Sequence, residues 1–196
     1  MNFNILLYDD FEALDAFGPA EIIGRMPPEI YDMEFFSMKG GLVASTQIVK
    51  TQTLPISAMN PEGVLLIPGG IGARTLVHDT DFIAELAALV EKAPFVLTVC
   101  TGSALLAKTG LIDAKKATSN KRAFDWVRSV NETVDWVKQA RWVADGRFYT
   151  ASGVSAGMDM TLGFIKDQHG RKMAMEVADF IEYVWSEDKN IDPFCR

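Results

Sequence analysis

A chain of 196 residues, 48% hydrophobic and 23% charged, has a globular composition, and no apolar run nears the roughly 18 residues that a membrane span needs. Its net charge of −7, from 26 acidic and 19 basic residues, works against nucleic acid or an anionic membrane as a partner. Cys100 and Cys195 are far apart and form no disulfide framework, so a reducing, cytoplasmic setting is expected.

The chain opens without a basic leader or a small-residue cleavage site, so Asn2–Tyr8 reads as a first strand and not as a signal peptide. Phe11–Arg25 follows at helical spacing, with a break expected at Gly18-Pro19, because a proline inside a helix forfeits a backbone hydrogen bond. Tyr31–Lys39 reads as a strand, Gly40-Gly41 as a turn, and Leu42–Ala44 with Gln47–Thr53 as a small edge hairpin. Gly63–Ile67 is a short buried strand stopped by Pro68-Gly69-Gly70. Arg74–Val77 and Phe82–Lys92 read as helices, the second with Phe82, Ile83, Leu86, Leu89 and Val90 on one face. Phe95–Val99 is an apolar strand, Gly102–Lys108 a helix opened by small residues, and Ala123–Val130 a further helix. Trp136–Val143 and Arg147–Thr150 read as strands joined at Asp145-Gly146. Ser152–Lys166 and Arg171–Trp185 are the closing helices. Strands alternating with helices, several of them apolar throughout, predict an α/β fold with a mostly parallel sheet covered on both faces, in one domain over residues 1–196.

Ligands of open α/β sheets bind beyond the carboxyl ends of the strands, and three features fall there. Cys100 stands between a buried strand and a helix beginning Thr101-Gly102-Ser103, the layout of a nucleophile elbow. The helix terminus favours a thiolate there; the competing reading is a buried structural cysteine. Asp15 sits in the apolar stretch Leu14-Asp15-Ala16-Phe17, where an unpaired carboxylate is costly. Beside a thiolate it would keep its proton and act as general acid or base. Glu12 is the more polar alternative, and a turn or capping role is the plainer one. Ile67-Pro68-Gly69-Gly70 can turn backbone N–H groups toward an anion, although Pro-Gly-Gly is also an everyday turn. Ser152–Asp159 opens a helix with small residues and either lines the same pocket or simply packs closely on the sheet.

The remaining candidates read as structural. His78 and His169 lie between helices and complete no Cys-His dyad, and no zinc-type spacing occurs. Lys115, Lys116, Lys121 and Arg122 read as a solvated basic cluster. Cys195 reads as a tail or interface residue.

These segments together resemble the ThiJ/PfpI superfamily, related in fold to class I glutamine amidotransferases, from about residue 3 to 185. Ile-Pro-Gly-Gly and Val99-Cys100-Thr101-Gly102-Ser103 carry the likeness. Leu14-Asp15-x-x-Gly18-Pro19 and Gly153-Val154-Ser155-Ala156-Gly157-x-Asp159 narrow it to a subgroup similar to isonitrile hydratase and to the N-terminal domains of AraC-type regulators. The resemblance implies a flavodoxin-like three-layer sandwich, a homodimer and a Cys100 nucleophile paired with Asp15. It also implies backbone donors at Gly70 and Thr101, with Ser155 and Tyr183 near the pocket. Where peptidases and amidotransferases of the superfamily place His after the cysteine, this chain has Thr101, which argues against both activities. Thr118-Ser119-Asn120-Lys121 replaces the Thr-Thr-His-Trp run of the isonitrile hydratase pattern.

The expected activity is cofactor-free, metal-free hydration of a small molecule, an isonitrile giving an N-substituted formamide. Two alternatives stand beside it: glyoxalase-type handling of a reactive carbonyl, and a non-catalytic redox-sensing or ligand-binding role for Cys100.

Overall fold

The apolar runs become strands buried on both faces. The computed structural model describes residues 1–195. It begins with β1 (Asn2–Leu6), α1 (Ala13–Ile23), β2 (Asp32–Ser37), β3 (Gly41–Ala44), β4 (Lys50–Pro55) and β5 (Val64–Ile67). Next come α2 (Ala73–Leu76), α3 (Thr80–Lys92), β6 (Val96–Thr98), α4 (Gly102–Lys108), β7 (Lys116–Ala117) and α5 (Phe124–Val130). The last elements are β8 (Asp135–Trp136), β9 (Trp142–Asp145), β10 (Phe148–Ala151), α6 (Ala156–His169) and α7 (Arg171–Phe180).

The main sheet runs β3-β4-β2-β1-β5-β6-β10-β9. Every pairing is parallel except the two at the edges, β3 with β4 and β9 with β10. The edge hairpin is where the Gly40-Gly41 turn predicts it, with both glycines at positive φ. α1, α6 and α7 pack together as one layer, and α2, α3 and α5 pack about α4 as another. Between them Phe3, Ile5, Leu6, Val64, Leu66, Val96 and Leu97 are fully buried. This is the expected α/β sandwich with a mostly parallel sheet. No described helix is long and apolar enough to cross a membrane.

Four boundaries differ from the sequence reading. α1 runs unbroken through Pro19. Its packing on α6, with Gly18 against Met158, holds the helix across the hydrogen bond that proline cannot make. The strand expected over Trp136–Val143 is two: β8 pairs with the otherwise unpredicted β7 in a separate ribbon, and β9 joins the main sheet. The first of the closing helices starts late, because the Ser152 N–H still bonds Arg141 O across the sheet and Val154 has φ 25. The second stops at Phe180, near Glu182 with φ 52.

The basic cluster is also not uniformly solvated. The Lys121 side chain is 7% exposed. Its Nζ donates to Ala140 O at 2.6 Å and to Thr118 Oγ1 at 2.9 Å, and lies 3.9 Å from Asp192 Oδ2. Burial lowers its pKa to about 8, against the pull of Asp192.

Candidate active site beyond β1, β5 and β6

Consecutive parallel strands in the middle of the sheet send their carboxyl ends to one crevice. Asp15 arrives on the first turn of α1, Gly69 just after β5 and Cys100 two residues after β6.

Cys100 turns sharply, with φ 55. A non-glycine residue in that region costs about 1–3 kcal/mol and persists only where its surroundings dictate it. Here they do. The Cys100 N–H bonds Ser152 O at 2.8 Å, and Cys100 O accepts from Ser119 Oγ at 2.8 Å and Ser103 Oγ at 3.0 Å. Gly102 permits the turn, since a Cβ there would lie 2.3 Å from Ile67 O. The side chain ends 8% exposed.

Asp15 is wholly buried. Its Oδ2 accepts the Gly69 N–H at 2.9 Å, while Oδ1 has no partner of ordinary hydrogen-bond geometry and the Cys100 thiol faces the same carboxyl. Gly69 is glycine for this contact: a Cβ would sit 2.5 Å from Thr101 N and 2.9 Å from Asp15 Oδ2. Burial raises the Asp15 pKa to about 8; the Gly69 N–H opposes this, the nearby Glu12 charge adds to it, and Cys100 opposes it. Glu12 itself, the other carboxylate considered, accepts from Gln47 Nε2 at the surface.

Burial also pushes the Cys100 thiol well above its ordinary range, and the Asp15 charge adds to that. The Thr101 N–H, the Asn120 side chain and the Thr101 hydroxyl pull the other way and do not overcome it. Burial thus works against the resting thiolate expected from the helix terminus. α4 has only seven residues, and desolvation outweighs what its terminus and these donors offer. Burial therefore favours the protonated form of both groups.

The remaining candidates divide. The Thr101 N–H faces the sulfur. The Gly70 N–H does not serve as the free donor expected of it, because it bonds Thr101 Oγ1 at 2.9 Å while that hydroxyl donates back to Gly70 O at 3.1 Å. Ser155 and Tyr183 lie on a neighbouring buried charge cluster: Ser155 Oγ accepts from Arg141 Nη2 at 3.3 Å, and the Tyr183 hydroxyl donates to Asp159 Oδ1 at 3.0 Å. Neither is hydrogen-bonded to Cys100 or Asp15. His169 bonds the Tyr31 hydroxyl at 2.9 Å. Among the described residues no three His, Cys, Asp or Glu side chains converge as a cation site.

Two residues of the site escape the sequence reading. The Tyr8 hydroxyl donates to Pro68 O at 2.7 Å and steadies the loop that presents Gly69; burial raises its pKa, and the nearby Asp15 and Cys100 add to that. Asn120 faces the sulfur from the loop after β7. The only sequence signal was its place in the run that departs from the isonitrile hydratase pattern. Two surface hollows, one at Trp142 and Trp185 and one at Tyr8 and Phe82, have neither Cys100 nor Asp15 in their walls.

Comparison with known proteins places the chain in a family. A model of the DJ-1/PfpI family matches residues 2–167. Isonitrile hydratase of Pseudomonas putida is 28% identical over 186 residues, 93% of this chain and 78% of that protein. The HTH-type transcriptional regulator CdhR of Pseudomonas aeruginosa is 24% identical over 91% of this chain, which spans only 54% of the regulator's length. Among solved structures, a THiJ/PfpI family protein from Pseudomonas syringae superposes with a TM-score of 0.85 at 24% identity, covering 98% of this chain and 77% of that one. Drosophila melanogaster DJ-1beta superposes at 0.79 and 18% identity, covering 94% and 98%. The structural likenesses show the shared fold. The regulator means that relatives of this chain include transcriptional regulators, so the expectation of no nucleic-acid partner does not extend to the family.

Proposed function

The chain belongs to the DJ-1/PfpI family, and from that premise we propose that it hydrates a small isonitrile to an N-substituted formamide. One observation carries the reading: a buried thiol and a buried carboxyl face each other, and burial favours the protonated form of both.

Such a pair adds as S–H without a standing thiolate. Sulfur bonds the isonitrile carbon while its proton passes to Asp15 and the Asp15 proton passes to that carbon. The product is a thioimidate, R–N=CH–S–Cys100. Water then adds to the same carbon, giving a proton to Asp15 as Asp15 gives its own to nitrogen. The tetrahedral R–NH–CH(OH)–S–Cys100 collapses as the carbon–sulfur bond breaks. Its hydroxyl proton goes to Asp15 and the Asp15 proton returns to sulfur. The sum is R–N≡C plus water to R–NH–CHO, with no oxidant or reductant. An acid whose pKa lies near the working pH suits this repeated exchange. The narrow exposure of Cys100 fits a slim terminal carbon, and the 28% identity to isonitrile hydratase supports the substrate class.

The test is incubation of the purified chain with alkyl and aryl isonitriles and detection of formamide by mass spectrometry. Wild type is expected to turn over, and Cys100→Ser or Asp15→Asn to lose at least about a hundredfold. Absence of formamide across the series, with Cys100 intact and reduced, ends the reading.

A second reading is ligand binding without turnover, favoured by the match to a transcriptional regulator over most of this chain. It predicts saturable isonitrile or carbonyl binding with no product. Redox sensing gains less support, because oxidation proceeds through an exposed thiolate, whereas this sulfur is buried and burial disfavours its thiolate.

A further inference from the structure

Both backbone handles of Cys100 lead to the segment after α7. On the amide side, the Cys100 N–H bonds Ser152 O, the Ser152 N–H bonds Arg141 O at 2.9 Å, and the Arg141 N–H bonds Lys189 O at 2.8 Å. On the carbonyl side, Cys100 O accepts from Ser119 Oγ at 2.8 Å, and Ser119 O accepts from Lys121 Nζ at 3.3 Å. The same ammonium donates to Thr118 Oγ1 and Ala140 O, so it gathers the loop that presents Ser119. Thr118, Ser119 and Ser152 are buried, out of reach of bulk water as a substitute partner.

Asp192 stands where the two routes meet. Its Oδ2 lies 3.9 Å from Lys121 Nζ and its Oδ1 3.9 Å from Arg141 Nη1, and its side chain is 1% exposed. The Phe194 N–H bonds Oδ1 at 2.8 Å, and the Asp192 N–H bonds Gln139 O at 2.7 Å, which fixes the residue in place. Oδ2 has no hydrogen-bond partner among the described residues. Arg141 has a second carboxylate in Asp159 at 2.7 Å, whereas Asp192 is the one carboxylate within 4 Å of Lys121 among the described residues. The Asp192 charge therefore keeps a buried ammonium seated on the Ser119 loop. Without it that ion retains its desolvation cost with less to offset it. Cys100 holds its φ of 55 only while such ties dictate it.

We propose that Asp192 is a positioning residue for Cys100, acting through Lys121 and Ser119, so that the segment after α7 sets how readily the elbow opens. The hold itself is independent of the substrate; its effect on turnover rests on the hydration proposed above.

A buried thiol is alkylated when its surroundings open, so the labelling rate reads that opening equilibrium. Iodoacetamide labelling of Cys100 is followed in the full-length protein well below its Tm, by peptide mass spectrometry that separates it from Cys195. Asp192→Asn keeps the size of the side chain and removes its charge. It is expected to label about tenfold faster than wild type, and Ser119→Ala likewise, each losing one tie of the elbow. If Asp192 acts through Ser119, the double variant labels little faster than the faster single, because the second change cuts a route already cut. Lys121→Met breaks the same route from its other side, and the same comparison is read from it where Asp192→Asn does not fold. Glu187→Gln is the control. It loosens the same segment at the surface, where Glu187 pairs with Arg171 and Lys166, and is expected to label at the wild-type rate. Wild-type labelling in Asp192→Asn overturns the proposal. So does a double variant whose acceleration is the product of the two singles, or equal acceleration in Glu187→Gln. In isonitrile hydration, Asp192→Asn is expected to lower kcat about tenfold with KM within about twofold of wild type, as misplacement of a reacting group does. The two readings fail separately. Faster labelling in a chain that hydrates no isonitrile keeps the hold and removes the substrate, whereas isonitrile turnover by wild type with unchanged labelling in Asp192→Asn removes the hold alone.

Discussion

Asp15 is a carboxyl that the fold keeps neutral. With its pKa near 8 in the folded chain and near the ordinary carboxylate value when unfolded, it binds a proton on folding through the window between. Because the native state holds more protons there, stability from this group is present in acid and is lost as pH rises through about 8. Thermal unfolding measured from about pH 5 to about pH 9 should therefore show Tm falling more steeply in wild type than in Asp15→Asn, whose amide cannot ionise. Parallel slopes in the two proteins remove the buried-acid account. Cys100 and Asp15 were legible because each breaks a local rule: a cysteine at a strand-to-helix turn, and a carboxylate in an apolar stretch. A raised pKa at Asp15 was legible too, but the one at Cys100 was not. It depends on burial by residues from several strands, which works against the expected thiolate. Asn120 and Lys121 were hidden for a related reason. Both look like polar loop residues until the loop is folded back on the sheet.

The elbow is an element-scale device, and glycine at its start makes it possible. A Cβ on Gly102 would lie 2.3 Å from Ile67 O and 2.7 Å from Pro68 O, backbone atoms that cannot swing aside. Gly102→Ala should cost about 3 kcal/mol or more in urea unfolding, at or beyond the upper end of ordinary overpacking. Gly18→Ala is the contrast. Its Cβ would meet Met158 Cγ at 2.9 Å, the flexible thioether yields, and the cost should be clearly smaller. Equal costs for the two would mean that the elbow is not held by β5. Most elements at this scale follow from periodicity. Phe82, Leu86 and Val90 are the buried stripe of α3, and the run over Phe95–Val99 contains β6. The failures share a cause. Local pattern shows that Pro19 weakens a helix but not that α6 braces it. It reads Trp136–Val143 as extended but not as two strands belonging to different sheets.

Across the whole molecule, one buried ion pair joins three parts that the sequence keeps apart. Arg141, just before β9, places Nε 2.7 Å from Asp159 Oδ2 on α6, and both side chains are under a tenth exposed. The segment after α7 closes over the pair. Trp185 Nε1 donates to Asp159 O, the Ser186 N–H to Asp159 Oδ1, and the Arg141 N–H to Lys189 O. Asp192 reaches within 3.9 Å of both Arg141 Nη1 and Lys121 Nζ. Tyr183 and Ser155, placed near the pocket by resemblance, take part in this clasp. Their true neighbours depend on where a tail of irregular backbone returns, which no periodicity records. Removing one charge should cost far more than removing both, since a buried ion left alone keeps its desolvation penalty without its partner. Arg141→Met is expected to destabilise the chain by about 3–5 kcal/mol in urea unfolding, and adding Asp159→Asn should recover part of that loss. The tail should also become a protease-sensitive segment in Arg141→Met before the sheet unfolds, because its anchors are the residues just lost. If Arg141→Met unfolds at the wild-type midpoint with its tail still protected, the clasp is held by Trp185 and the backbone bonds and not by charge.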